Sequence, residues 1–214
     1  PITSVTTDTD ALTLQVVADF TVPVRRLWDA YLDPRQIERF WGPPTYPATF
    51  LRHDGYPGGL TNYCMTGPEG DRSCGYWKWV AVDEGRSFEV RDGFADENGA
   101  PNTELPDMRM VFEFAETALG SRLTTTTFFN SLEELEQLQA MGMMEGMSAA
   151  MGQIDAVLEH LGQRAREIAL VQARRLQQQA PRDGEAIDSG VDDFIAFLCF
   201  VRCPARGTRA GPIP

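Results

Sequence analysis

The sequence is poor in the residues that build metal centres and nucleophilic active sites. Two histidines and four cysteines occur among its 214 residues. Neither histidine accompanies a cysteine or carboxylate at the spacing of metal ligands, and no glycine-rich phosphate loop is present. The nucleophile, base and orienting residue that hydrolysis or acyl transfer needs are also missing. We therefore expect no metal and no cofactor, and we assign no catalytic residue.

Basic residues and long apolar runs are scarce as well. The chain has a single lysine, Lys78, and a formal net charge of −12. Residues 1–160 carry 25 acidic and 11 basic side chains, which argues against binding to nucleic acid or to an anionic membrane. The longest apolar run, "FIAFLCFV" at 194–201, is too short to span a bilayer. No stretch at the N-terminus resembles a signal peptide, so the sequence predicts a cytoplasmic protein.

The four cysteines form neither a metal knuckle nor a disulfide framework. Cys64 and Cys74 flank the turn "GPEGDR" and can lie close together across a hairpin, whereas Cys199 and Cys203 lie near the end of the chain. Because thiols stay reduced in the cytoplasm, we expect all four to be free.

The order of apolar patterns predicts an α+β fold. "ALTLQVVADF" at 11–20 alternates apolar and polar residues, as a half-buried strand does. Two short helices follow, one with Pro23 near its first turn and one capped by Asp33. Turns rich in glycine, proline and acidic residues then separate six predicted antiparallel strands, near 46–53, 60–66, 74–82, 86–92, 107–115 and 121–130. Such a succession predicts one strongly curved sheet.

A long C-terminal helix is predicted to begin at Ser131, which forms a capping box with Glu134. Apolar residues then keep a 4-3 spacing without a break from Ala140 to Ile168. Beyond Leu161 the pattern stays compatible with a helix but becomes polar and basic.

One part of this helix, "QAMGMMEGMSAAMG" at 139–152, holds five methionines and three glycines. Methionine adapts to irregular apolar space, and small side chains at Gly142, Gly146 and Ala150 leave room beside it. A helix that roofs an adaptable pocket would have this composition. Ordinary core packing gives the same pattern, so the helix alone does not decide between them.

Several local motifs occur in this order along the chain. They are "FTVPVRRLWDAYLDPRQIERFWGP" at 20–43, "DGYPGG" at 54–59 followed by Met65 and "GPEG" at 67–70, "GSRLT" at 120–124, and "MGMMEGM" at 141–147. With the element order, they resemble the START-like (SRPBCC, Bet v 1-like) superfamily. Within it, the chain resembles the family named after the activator of the heat-shock-protein-90 ATPase.

The resemblance implies a helix-grip fold, in which a curved antiparallel sheet wraps around the long C-terminal helix. It covers about residues 11–161, so we divide the chain into an N-terminal extension (1–10), the START-like domain (11–161) and a helical continuation with a tail of unknown role (162–214). Tyr56 stands where this family commonly has an arginine. The last fifty or so residues have no counterpart in the family.

The fold that this resemblance implies has a cavity between the long helix and the sheet. Residues of apolar or aromatic character at inward positions are the candidates to line it: Trp28, Trp41, Phe50, Tyr63, Met65, Trp77, Phe112, Phe128, Met144, Met147 and Met151. Candidate polar groups of the cavity are His53, Glu145, Arg91 and Arg109. Structural core and solvated strand faces are the alternative interpretations of these residues.

The sequence is compatible with three functions. The first is binding of a small hydrophobic molecule, without an assigned reaction. The second, which the family name implies, is partnership with a chaperone. The third is a cyclase or lyase reaction that uses Glu145 or His53 as its acid or base. The apolar residues 191–201 are predicted to cover the cavity mouth or to pair with a second copy of the chain.

Overall fold

The computed structural model describes residues 2–105 and 107–179. By their internal contacts the described residues fall into two units, which divide between residues 167 and 168. The predictions for the tail, including residues 191–201, Cys199 and Cys203, lie outside the described residues. Among the described helices, none is long and apolar enough to cross a membrane.

The described residues form eight strands and five helices, and the last helix extends beyond residue 167. In chain order they are β1 (Ile2–Asp8), β2 (Thr13–Phe20), α1 (Val24–Leu32), α2 (Pro34–Ile37), β3 (Ala48–His53), β4 (Leu60–Thr66), β5 (Arg72–Asp83), β6 (Ser87–Ala95), β7 (Met108–Thr117), β8 (Gly120–Phe128), α3 (Leu132–Ala140), α4 (Met143–Met151) and α5 (Ile154–Gln179). The described part of the second unit is the end of α5, where Ile168, Leu170 and Val171 are exposed.

All eight strands belong to one antiparallel sheet in the order β1-β2-β8-β7-β6-β5-β4-β3. Hairpins join β3 through β8 one after another, and β2 closes onto β8. The predicted α+β class and the curved antiparallel sheet are confirmed. The sequence did not signal β1, an exposed edge strand that pairs with β2 from Ile2 to Asp8.

Aromatic side chains fill the core between the sheet and the short helix α1. Phe88 of β6 stacks on Phe112 of β7, with ring centroids 4.5 Å apart. Trp28 and Tyr31 of α1 pack against this pair from the other side. Alternation along each strand puts Phe88 and Phe112 on the same face of the sheet.

The long C-terminal helix is interrupted, which corrects the prediction of one continuous helix. Gly142 ends α3 in the left-handed conformation, with φ of 84°, which glycine adopts at little cost. A second break follows Met151, where the Gln153 side chain donates a hydrogen bond to the Gly42 carbonyl 2.7 Å away. The predicted cap of α3 is present, since Ser131 Oγ accepts from the Glu134 N–H.

Cys64 and Cys74 are joined in a disulfide, which contradicts the prediction of free thiols. They stand directly opposite each other on β4 and β5, and both are buried. The prediction relied on a reducing compartment, whereas the register of the hairpin brings the two sulfurs into contact.

Candidate functional site

A cavity of about 380 Å³ lies between the concave face of the sheet and the helices α3 to α5. Its wall is mostly apolar. The residues that line it are Tyr31, Phe40, Trp41, Pro43, Tyr46, Tyr63, Met65, Ser73, Asp92, Phe94, Met108, Met110, Phe112, Thr125, Thr127, Leu138, Met141, Gly142, Met143, Gly146, Met147, Ala150, Met151 and Ile154. A cavity of this size and composition matches the usual binding site of a small molecule.

The helix α4 leaves the space open because two of its wall residues are small. A Cβ atom built on Gly146 would meet no atom within 4 Å, so this position faces free space. Ala150 lies one turn further along the same wall. The glycines of this segment therefore have different roles, since Gly142 ends a helix and Gly146 leaves room in the cavity.

Among the described residues of the cavity wall, the one carboxylate belongs to Asp92 of β6. Its Oδ1 accepts a hydrogen bond from Trp77 Nε1 at 2.7 Å and a longer one from the Tyr63 hydroxyl at 3.4 Å. Burial raises the pKa of Asp92 to about 7, the nearby charge of Asp107 adds to this, and the two hydrogen bonds act in the opposite direction. Asp92 can therefore exchange a proton near neutral pH.

A glycine on β5 makes room for Tyr63. A Cβ atom on Gly75 would lie 2.5 Å from Cζ of Tyr63, its direct partner across the hairpin. Because only a hydrogen occupies that place, the tyrosine ring crosses β5 and directs its hydroxyl toward Asp92. Burial, with the neighbouring Asp92 charge, keeps the pKa of Tyr63 well above its ordinary value, so its hydroxyl stays a donor.

Two threonine hydroxyls of β8 also belong to the cavity wall. Thr125 and Thr127 of β8 are each 1% exposed, and within the described part of the chain their Oγ1 atoms have no hydrogen-bond partner. An unpartnered buried hydroxyl costs about 1–3 kcal/mol. A ligand that supplied a polar group here would recover part of that cost.

Six of the eleven side chains predicted to line the cavity do so. They are Trp41, Tyr63, Met65, Phe112, Met147 and Met151. The first four come from the loop after α2 and from the inward face of the sheet, and the two methionines come from α4. The structure brings these predicted residues together, while their role in binding stays a prediction.

The other five do not line the cavity. Trp28 packs edge-on against Phe114 beneath α1, and Phe50 stacks on the far side of Tyr63. Trp77 is fully buried behind the wall, and Met144 packs against the core without reaching the cavity. Phe128 lies on the outer face, beneath the Arg109 guanidinium at 4.3 Å from the ring centroid. The strand or helix phase of the first four was inward or ambiguous, but phase does not separate solid core from cavity. Phe128 directly follows the inward Thr127 on β8, so it has the phase of the outer face and the prediction for it was wrong.

None of the four predicted polar groups lines the cavity. His53 donates from Nε2 to the Tyr31 carbonyl at 2.9 Å and contacts Thr61 Oγ1 through Nδ1, and burial lowers its pKa. Glu145 is exposed on α4. These two are therefore not placed to act on a bound molecule.

The two arginines point to the other face of the sheet. Arg91 pairs with Asp107, and Arg109 forms two hydrogen bonds of 2.8 Å with Glu89. The described residues also hold no cluster of three or more histidine, cysteine or acidic side chains around a metal position.

The sequence contained a signal for Asp92 that our interpretation missed. In "SFEVRDGF" at 87–94, Phe88, Val90 and Phe94 have the inward phase, and Asp92 shares it. Arg91, which we chose, has the phase of the outer face. A lone carboxylate in register with apolar inward residues was the stronger candidate.

The raised pKa of Asp92 predicts a pH-dependent gain in stability for Asp92→Asn. The folded state binds the proton of the Asp92 carboxyl more tightly than the unfolded chain does. Binding of this proton therefore stabilises the fold fully below about pH 4, and the stabilisation is lost as the pH rises through about 7. Asparagine does not titrate and keeps an oxygen for Trp77. Relative to the wild type, the free energy of unfolding of the variant should rise by about 2.5 kcal/mol between pH 5 and pH 8, as measured by urea denaturation. If the difference in the free energy of unfolding between the variant and the wild type stays constant with pH, the prediction is wrong.

The comparisons with known proteins agree with this architecture. Residues 21–159 match the family model described as "Activator of Hsp90 ATPase homolog 1-like protein". Protein Ms6760 from Mycobacterium smegmatis is similar, with 50% identity, a TM-score of 0.70, and coverage of 74% of this chain and 97% of that one. A protein from Arthrobacter aurescens, solved by NMR in solution, has 42% identity and a TM-score of 0.71, with coverage of 75% and 93%.

More distant structures share the fold alone. The AHSA1 protein from Silicibacter pomeroyi has 18% identity and a TM-score of 0.56, with coverage of 69% of this chain and 97% of its own. No curated protein matches the chain. The family model and the two closer structures, taken with the helix-grip architecture, identify the chain as a member of the family of activator of Hsp90 ATPase homolog 1-like proteins.

Proposed function

We propose that the protein binds a small hydrophobic molecule in the cavity between the sheet and the helices α3 to α5. The observation that carries this proposal is the cavity itself, about 380 Å³ with a mostly apolar wall and a few polar groups. Burial of apolar surface supplies roughly 25 cal/mol per Å² and would drive binding. The polar groups, Asp92 and the two threonine hydroxyls, would fix the orientation of the molecule.

The composition of α4 supports this proposal. Glycine inside a helix costs roughly 1 kcal/mol relative to alanine. Gly146 is inside α4, takes no left-handed conformation and has no atom near its missing side chain. Packing therefore does not explain the glycine, whereas a requirement for free space in the cavity does. Met147 and Met151 beside it can adapt to the shape of a ligand.

Filling this space should abolish binding without harming the fold. The variant Gly146→Phe places a ring in the cavity, and we expect its affinity for the neutral apolar dye N-phenyl-1-naphthylamine to fall at least about tenfold. Its melting temperature should stay the same or rise, because the helix loses a glycine. Fluorescence titration and thermal denaturation measure the two effects.

The matched control is Ala149→Phe, which puts the same ring on the exposed side of α4. This variant should bind the dye like the wild type. If Gly146→Phe and the wild type bind equally well, the dye does not occupy the cavity, and the proposed site is wrong. Native mass spectrometry of the freshly purified protein would also reveal a co-purified molecule as extra mass that leaves on denaturation.

The family description favours a second candidate function, partnership with a chaperone of the Hsp90 class. Such a partner would bind the surface, so its affinity should respond to exposed charges and to salt. A pull-down with the purified chaperone, using wild type and Gly146→Phe, separates the two functions because filling the cavity affects only the first. A cytoplasmic location and pairing with a second copy of the chain also remain proposals, to be tested by cell fractionation and by native mass.

A cyclase or lyase reaction has less support than ligand binding. The groups we considered for it, Glu145 and His53, do not reach the cavity wall. Asp92 does reach it and has a suitable pKa, but the described wall offers no second acid or base other than tyrosines.

A further inference from the structure

We propose that Asp92 and the aromatic rings around it form a subsite for a basic nitrogen, so that the ligand of this cavity is an apolar amine. This inference rests on the proposed function, since it names the class of molecule that the same cavity takes. Hydrogen bonding, charge and aromatic geometry support it separately.

The hydrogen bonds of Asp92 leave one oxygen for a ligand. Both protein donors, Trp77 Nε1 and the Tyr63 hydroxyl, reach the same atom, Oδ1. Oδ2 receives no hydrogen bond from the described residues, although Asp92 belongs to the cavity wall. A carboxylate has room for about four hydrogen bonds, so a donor arriving through the cavity finds an open acceptor.

Within the part of the chain that the structure describes, no basic side chain of the cavity wall balances the charge of Asp92. The wall residues there include no lysine, arginine or histidine. Arg91 is adjacent in sequence, but it points to the opposite face and pairs with Asp107. A buried carboxylate without a cationic partner is costly, and a cationic ligand would offset that cost.

Aromatic rings share the cavity wall with the carboxylate, as suits a cation. The rings of Trp41 and Tyr63 meet nearly at right angles, with centroids 5.8 Å apart. Phe94, on the same strand as Asp92, adds a further ring. The electron-rich face of an aromatic ring attracts ammonium groups, and sites for organic cations commonly combine such rings with a carboxylate.

Other ligand chemistries fit these observations less well. A carboxylate or phosphate would face Asp92 with no basic group in the wall to receive it. An alcohol would supply a donor to Oδ2 but would leave the charge unbalanced. A protonated amine supplies both the donor and the charge, in a hydrogen bond about twice as strong as one between neutral groups.

The test compares two competitors of nearly equal shape, 2-(naphthalen-1-yl)ethylamine and 2-(naphthalen-1-yl)ethanol. Each displaces N-phenyl-1-naphthylamine from the wild type, from Asp92→Asn and from the control Glu113→Gln, which removes an exposed carboxylate on β7. At pH 8 the amine should bind about tenfold or more tightly than the alcohol in the wild type and the control. In Asp92→Asn this preference should disappear while the alcohol binds as before.

The preference should also weaken at pH 5, where Asp92 takes up its proton. The titratable groups near Asp92 are Tyr63 from β4, Tyr76 from β5 and Asp107 ahead of β7, and the wall residues of α4 and α5 carry no charge. A measurement on the wild type alone guards against a misfolded variant. In carboxyl NMR, saturating amine should lower the pKa of Asp92 by about one pH unit or more, whereas the alcohol should not.

The outcomes separate this inference from the proposed function. If the dye binds but the amine and the alcohol compete equally at pH 8, the amine subsite is wrong and the apolar cavity stands. If neither the dye nor the competitors bind, the proposed function fails and this inference fails with it.

Discussion

Replacing Trp77 with alanine should lower the free energy of unfolding by about 4 kcal/mol, the usual cost of removing a buried aromatic side chain. Trp77 is 0% exposed, and among the described residues the centroids of seven other aromatic or imidazole rings lie within 6.3 Å of its own. Its indole N–H is also the closer of the two donors to Asp92. Loss of the ring therefore removes packing and leaves a buried carboxylate with one weak hydrogen bond. Urea denaturation at pH 7 measures the loss.

Two further variants separate these contributions. Trp77→Phe keeps much of the packing but removes the N–H donor, so it should raise the pKa of Asp92 above its wild-type value of about 7. Val80→Ala, on an exposed position of the same strand, should change stability by less than about 0.5 kcal/mol. If Trp77→Ala lowers the free energy of unfolding no more than Val80→Ala does, the Trp77 ring does not stabilise the core.

Most of the fold could be predicted because the hairpins have local signals. The inward and outward residues of β4 to β8 alternate, and glycine-rich turns separate the strands, so both strand positions and their antiparallel pairing follow from the sequence. The edge strand β1 lacked that signal. Its residues are mostly polar and exposed, and it is held by its pairing with β2 rather than by a buried face.

The breaks in the C-terminal helix were hidden by its apolar spacing. Met151, Ile154 and Leu158 are buried and keep the 4-3 spacing across the second break. At the first break the buried residues of α3, Leu135 and Leu138, are out of phase with the predicted stripe, in which Ala140 is exposed. Periodicity reports which face is buried and does not require the residues to belong to one straight helix. Glycine at 142 was the local signal for a stop, but a glycine inside a helix and one that ends it look the same in a single sequence.

The cavity wall could be predicted only in part because it depends on distances between elements. Trp28 and Trp41 have equally plausible inward phases, yet Trp28 fills the core beneath α1 and Trp41 faces the cavity. What separates them is where the helices cover the sheet, which no local pattern encodes. The Asp92 cluster depends in addition on a glycine on one strand and a tyrosine on the next, whose contact is set by the register of the sheet.

Removing the Cys64–Cys74 disulfide should lower the free energy of unfolding by about 3 kcal/mol. The bond closes a loop across a sequence separation of 10, and in the chain-entropy model such a cross-link destabilises the unfolded chain by about this amount. The double variant Cys64→Ala, Cys74→Ala should show the loss in urea denaturation without a reducing agent. The wild type should show a similar loss when it is unfolded in the presence of a reducing agent, and the variant should not respond to the agent.

A thiol count shows whether the bond exists in the protein as isolated, and it bears on where the protein resides. After denaturation without a reducing agent, two of the four cysteines should fail to react with a thiol reagent. If all four react, the pair is reduced, as expected for a cytoplasmic protein, and the double variant should then cost little stability. A blocked pair in protein alkylated at the moment of lysis would instead favour an oxidising compartment, because stable disulfides are rare in the cytoplasm. The opposed cysteines on β4 and β5 thus make the predicted cytoplasmic location testable without knowledge of the ligand.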